Sequence, residues 1–332
     1  MDFSKWIVNS DMNNLKKYKE DGGDLNVKDP FGNSPIFLAI SLGNKEATNF
    51  LIDSNCDLTV TDMRGRGFLH YAAEFGPPSL ILRFFQKRLE QSAEKWKFNG
   101  NIHNAAYYSF DQWVEVLVPF GVPDITKDDG SNEIRQPAEV EDGATEQEKP
   151  DTIALAHAYF DSQIDTSIRA LHGETPLHLA AQAGNVWAVA ILLSLYSRIQ
   201  AEDNCGLSPL HYAIKAQKLK TAALLINSSA NVNARDKEGN APIHLAAINN
   251  FSEGITLLKN SNANINAKNA IGRTPLHYAA ELGNRQAVQE LLDQGADPNV
   301  RDVNGWAALR LAIKGGYDDI QELLVEKGTR PY

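Results

Sequence analysis

The chain is poor in the residues that mark several large classes of protein. It has two cysteines in 332 residues. Cys56 and Cys205 stand 149 positions apart with no cysteine or histidine at metal-ligand spacing, so neither a disulfide framework nor a zinc site is expected. No apolar run approaches the roughly 18 residues of a membrane helix, and membrane insertion is not expected. The opening residues, MDFSKWIVNSDMNN, lack the charged, apolar and small-residue order of a signal peptide. A basic stripe is missing too. The net charge of -10 is concentrated, with 10 acidic and 3 basic side chains in residues 124–151 but 14 of each in residues 201–332. Nucleic acid, which needs a surface that releases counterions from phosphate, is therefore not an expected partner. HExxH, GxSxG and Walker-type loops are also lacking.

What the chain has is repetition. GETPLHLAAQAGN at 173–185, LSPLHYAIKAQK at 207–218, NAPIHLAAINN at 240–250 and RTPLHYAAELGN at 273–284 place His178, His211, His244 and His277 at intervals of 33. One further step gives Arg310, and an earlier phase gives Phe37, His70 and His103. Fourteen residues after these eight positions stand Leu51, Phe84, Leu117, Leu192, Leu225, Leu258, Leu291 and Leu324, all apolar. A period of 33 leaves room for about ten units in 332 residues.

Each unit reads as a helix pair. Thr175 or Thr274 stands where an N-cap hydroxyl takes an orphan backbone N–H, and Pro176 or Pro275 follows at the first helical position, where its missing N–H costs nothing. The first helix is expected to end at Gly43, Gly76, Gly184, Gly283 or Gly316 in a left-handed conformation, before a second helix with apolar spacing of three and four. Segments rich in Gly, Asn and Asp, such as SSANVNARDKEGN at 228–240, read as an extended turn or hairpin leading to the next unit. Small pairs such as Ala180 with Ala181 and Ala279 with Ala280 allow the short helices to pack closely.

The sequence D-x-x-G-x-T-P-L-H-x-A-A, then G-N, V-x-x-L-L and G-A-D-x-N, resembles the ankyrin repeat family. The match is best over 171–332, good over 29–76 and degraded between. The resemblance implies an all-α fold, a curved ankyrin-repeat solenoid of stacked antiparallel helix pairs with β-hairpin fingers and a concave face. The corresponding domain map has an N-terminal capping unit at 1–28 and repeats over 29–128, the second and third irregular. A degenerate repeat at 129–170 holds an acidic insertion at 131–150, regular repeats follow over 171–301, and a capping repeat closes at 302–332. Repeats of this kind are stabilised by their neighbours, which is why the ends need polar caps.

Three departures stand out. Residues 77–98 lose the finger and collect Arg83, Lys87, Arg88, Lys95 and Lys97, read as a solvated helical face. The acidic stretch is read as an inserted loop, after which the chain rejoins the pattern at Leu171 without the usual ten-residue finger. The stretch VWAVAILLSLY at 186–196 carries no charge, and Trp187, Ala190 and Ser194 fall on its usually charged side, as a covered surface would require.

The repeated histidines are read as structural, because each occupies the same slot and, in the family, ties neighbouring turns together. No catalytic, cofactor or metal residue is assigned. The expected function is a non-enzymatic scaffold that binds a partner protein or peptide through its groove and finger tips. It is expected to be monomeric and cytoplasmic. The 28 asparagines and the repeat-only organisation also suit a bacterial effector secreted into a host cell. By the resemblance, the variable positions that face the groove are Arg64, Arg66, Glu74, Phe75, Tyr108, Gln182, Gln217, Asn249, Arg273, Glu281, Trp306 and Lys314. Trp306 is the sharpest of these, since tryptophan is enriched among binding hot spots. The alternative is an enzyme or enzyme-regulating subunit with its working part in 77–172, where His103, His157 and His172 stand near Asp151, Asp161 and Asp165. A third reading folds the acidic loop onto the basic run and blocks the groove.

Overall fold

The computed structural model describes residues 3–29, 32–77, 79–81, 83–84, 87, 166–194 and 197–328. Every regular element among them is a helix. They form two compact units, Met1–Ala180 with Asn185–Arg198, and Ala181–Gly184 with Ile199–Tyr332.

In the first unit, helix pairs follow the expected pattern. Phe3–Val8 and Met12–Glu20 form one pair, and Pro35–Ser41 and Lys45–Asp53 the next. Phe68–Phe75 opens the third, and Pro176–Ala183, whose residues from Ala181 onward are counted with the second unit, makes the fourth with Val186–Ser194. Asparagine after the left-handed residue does two jobs at once. Asn44 caps its helix by accepting from the Ala47 N–H at 3.0 Å and reaches back to the Ile7 carbonyl, also at 3.0 Å. Asn185 accepts from the Ala188 N–H at 3.1 Å and donates to the Gly76 carbonyl, again at 3.1 Å. Such a side chain satisfies an orphan amide of its own helix and an orphan carbonyl of the previous one.

The second unit repeats the scheme with less variation. Its helices are Pro209–Lys215 and Leu219–Asn227, Pro242–Ile248 and Ser252–Asn260, Pro275–Glu281 and Arg285–Asp293, then Ala308–Gly315 and Asp318–Glu326. Across both units, Leu51, Leu192, Leu225, Leu258, Leu291 and Leu324 are completely buried, as are Ala180, Ala181, Ala246, Ala247, Ala279 and Ala280. The period-33 leucines are thus the core between helices, and the alanine pairs allow the close approach.

The fingers are tighter than hairpins. No strand is present among the described residues. Instead, an acceptor side chain closes a five-residue turn: Asp203 Oδ1 takes the N–H groups of Cys205 and Leu207, each at 2.8 Å. Asp62, Asp236, Asn269 and Asp302 do the same in their own turns. Each finger meets the next through a single backbone bond, Lys237 N–H to the Cys205 carbonyl, Ala270 to Glu238 and Val303 to Ile271. One bond per finger does not make a ladder.

Three expectations change. The Thr hydroxyl does not cap an orphan amide. It lies 2.8 Å from His277 Nδ1 at Thr274 and 2.9 Å from His178 Nδ1 at Thr175, and the capping residue's own N–H also donates to that nitrogen. Gly76 is not left-handed, with φ -85. Glycine is needed there for space, since a Cβ would stand 2.7 Å from the Ala72 carbonyl oxygen. A finger also precedes the 175 repeat: the Ala170 N–H donates to the Glu174 carbonyl at 2.8 Å, and Gly173 takes φ +86. Sequence inspection misses it because alanine replaces the usual acidic acceptor.

The repeats of His70 and His178 meet directly. In the second unit the histidine Nε2 donates 29 positions ahead, whereas His70 donates 104 ahead, an excess of 75. The finger bond normally spans 32 positions, and Leu171 to Arg64 spans 107, again 75 more. Asn44 and Asn284 each reach back 37 positions, and Asn185 reaches Ala73 over 112, the same excess. Three independent contacts therefore put these two repeats in ordinary register, with no other repeat between them. Loop-closure entropy grows only slowly with length, so a chain can leave and re-enter a stack at modest cost. The repeats expected beyond residue 100, with His103, Leu117, the acidic insertion and His157, lie outside the described residues, as does Ser194's side chain.

Candidate functional site

In the first unit, Arg66, Glu74 and Phe75 gather around Tyr71. The Arg66 guanidinium lies 4.6 Å from the Tyr71 ring centroid, donates to Asp62 Oδ2 at 2.8 Å and to the Tyr71 hydroxyl at 2.9 Å, and pairs with Glu74 at 3.3 Å. Tyr71 stacks on Phe37 at 4.5 Å and meets Phe75 at 6.0 Å. Burial works to raise the Asp62 carboxyl, but hydrogen bonds from Arg66 and Tyr71 outweigh it and hold it below the ordinary carboxylate value. Glu74 goes the other way, because its burial outweighs the attraction of Arg66 and Arg64. Arg64 is exposed, and its carbonyl receives the Leu171 N–H. Of the basic run, Arg83 donates to Asn49 at 2.7 Å and pairs with Asp53, so it braces the preceding helix rather than standing free in solvent.

The second unit repeats this chemistry once and then inverts it. Arg273 pairs with Glu281 and lies 5.6 Å from the Tyr278 ring centroid. Its Nε faces Asp302 Oδ2 at 3.6 Å, beyond hydrogen-bond range, and neither atom has another partner. The matching Asp62 oxygen is satisfied by Arg66 and by the Tyr71 hydroxyl, and Leu311 stands where that tyrosine would be. Gln217 and Asn249 come together, with Gln217 Nε2 donating to the Asn249 carbonyl at 2.7 Å. Gln182 is exposed.

Trp306 is half-buried between two exposed cations, Arg310 with its guanidinium 4.7 Å from the ring centroid and Lys314 with its Nζ at 5.3 Å. The backbone beneath it is fixed: the Trp306 N–H donates to Asp302 Oδ1 at 2.9 Å, and its carbonyl receives His277 Nε2 at 2.9 Å. The spacing of 306, 310 and 314 is one helical turn each, which brings the three side chains onto one face. Arg310 replaces the histidine of the other repeats, and its departure from the period is the signal that could have marked it. Tyr108 lies outside the described residues, and Trp187 and Ala190 are half-buried and buried.

The histidines do structural work. Each Nδ1 accepts a backbone N–H, which places the proton on Nε2 to donate to the next finger's carbonyl, at 3.1 Å for His70 and 3.2 Å for His244. Burial pushes His244 down to about 4, and lowers His70, His211 and His277. Among the described residues no group of three or more His, Cys, Asp or Glu could hold a metal ion, and no helix is long and apolar enough to cross a membrane. His172 is exposed.

The family model described as ankyrin repeats (3 copies) matches residues 6–96, 195–269 and 243–332, and a single ankyrin repeat model matches 172–204. The chain belongs to the ankyrin repeat family. Repeats of this family generally mediate protein–protein interaction and are typically non-enzymatic. This ankyrin chain is 34% identical over 104 residues to ankyrin repeat domain-containing protein 13C-A of Xenopus laevis, covering 28% of this chain and 20% of that protein. Ankyrin repeat domain-containing protein 13C of Mus musculus is 35% identical over 105 residues, covering 28% and 19%. Inversin of Canis lupus familiaris is 28% identical over 194 residues, covering 55% and 17%. The matches thus cover about a fifth of these curated relatives' own length.

Proposed function

We propose that the ankyrin chain is a non-enzymatic scaffold that holds a partner protein or peptide along the groove and finger tips. The observation that carries this reading is Trp306, a large aromatic ring left half-exposed on a backbone fixed at both its N–H and its carbonyl. A rigid, amphipathic ring costs little entropy to bury, and truncating such an anchor costs about 2 kcal/mol or more where it is a hot spot. Phe75, 45% exposed and backed by the Tyr71–Arg66 stack, is the corresponding anchor of the first unit. Arg66, Glu74, Arg273 and Glu281 neutralise one another, so their role is to hold Tyr71 and Tyr278 and shape the surface rather than to supply free charge. The effector role rests on the asparagine-rich composition.

The test is affinity capture with mass spectrometry, comparing the intact chain with a Trp306→Ala, Phe75→Ala double variant. A partner held by the intact chain and lost by the folded double variant is expected. A partner held equally by both removes these two faces from the account.

A further inference from the structure

The last repeat breaks a charge rule that two earlier repeats obey. Arg66 and Arg273 occupy the fourth position after the finger acceptor, and eight residues later Glu74 and Glu281 neutralise them. In the last repeat those two positions hold Trp306 and Lys314, and Arg310 takes the place of the histidine. A carboxylate has been replaced by an ammonium, and a buried neutral ring by an exposed guanidinium. Among the described residues neither Arg310 nor Lys314 lies within ion-pair distance of a carboxylate.

We propose that Trp306, Arg310 and Lys314 form the docking point for an acidic segment of a partner protein. A carboxylate of the segment is received by Arg310 and Lys314, and an apolar neighbour lies on the exposed part of the indole and on Ile313, which is 57% exposed. This deepens the scaffold reading and rests on it. Stacking on Trp306 orders both cations beforehand, so less side-chain entropy is lost on binding. The guanidinium fork suits a carboxylate geometrically. Charge complementarity favours an acidic protein segment over a polyphosphate chain. Nucleic acid needs a row of uncompensated cations, and here the preceding repeat presents the Arg273–Glu281 pair instead.

The test selects peptides from a random displayed dodecapeptide library on the immobilised full-length chain and measures the recovered peptides in solution. The expected result is enrichment in Asp and Glu, with affinity about tenfold weaker for an Arg310→Gln, Lys314→Gln variant. A Lys16→Gln, Lys17→Gln variant, which loses the same charge elsewhere, should bind as well as the intact chain. Each variant is checked for an unchanged melting temperature. No recovered peptide, no acidic bias, an affinity unchanged by the Arg310 and Lys314 substitutions, or equal displacement by single-stranded oligothymidylate overturns the proposal. If a captured protein partner is still held when these two cations are neutralised, this inference fails and the scaffold reading stands. If the intact chain captures no partner, the scaffold reading itself fails.

Discussion

His70 Nε2 lies 3.1 Å from the carbonyl oxygen of Glu174, 104 residues further along the chain. The same bond spans 29 residues elsewhere, so the sequence separation here exceeds the ordinary one by 75. Deleting residues 88–162 removes that number and restores the ordinary period. The shortened chain is expected to keep its helical circular dichroism per repeat and to melt within about 4 °C of the parent, since a change of 1 kcal/mol moves a chain of this size by only a few degrees. Loss of helical signal, or a drop of tens of degrees, would mean that the excised stretch supplies essential packing.

The buried histidines set a pH dependence. Unfolded, each ring takes up a proton near its ordinary value of 6.5, but folded His244 does so only near 4. Between those values the unfolded chain binds more protons, so stability falls as pH drops through that window. The fall from 6.5 to about 4 corresponds to about 3 kcal/mol at the low end, with His70, His211 and His277 adding in the same direction. Glu74, raised above 4.5, works the other way, and Asp62 and Asp302, held below 3.8, add to the fall from about pH 5 downward. Urea midpoints measured from pH 7 to pH 4 should decline, and less steeply in His244→Gln. A flat profile would contradict neutral, buried rings.

Two left-handed glycines separate conformation from space. Gly316 has φ +73 and open surroundings, so Gly316→Ala should cost about 1 kcal/mol and Gly316→Asn less, as Asn250 and Asn262 already take φ 52 and 66. Gly239 has φ +79, and a Cβ there would stand 2.8 Å from the Ala270 nitrogen that bonds the neighbouring finger. Gly239→Ala should therefore cost at least about 1 kcal/mol more than Gly316→Ala, read from urea midpoints at constant slope. Equal costs would mean that the finger contact contributes little.

Much of this was legible in the sequence because it is periodic. The histidines, the alanine pairs and the leucines 14 residues later all stand where a spacing of 33 puts them, and burial of Leu225, Leu258 and Leu291 follows from that spacing alone. What spacing cannot show is which unit lies beside which. His103 and Leu117 satisfy the same template as His70 and Phe84, yet the neighbour of Arg64 is Leu171. Nor does spacing reveal how charges are divided. Arg66 and Arg273 look like free cations until Glu74 and Glu281 fold back onto them, and Arg310 looks like a lost histidine until it lies on Trp306.

The central claim, that the surface around Trp306 is where a partner is held, is tested most directly by hydrogen–deuterium exchange of the full chain with and without its captured partner. The account predicts slowed exchange in residues 302–316. Exchange unchanged across 302–316, with protection confined to residues 88–165, would contradict it.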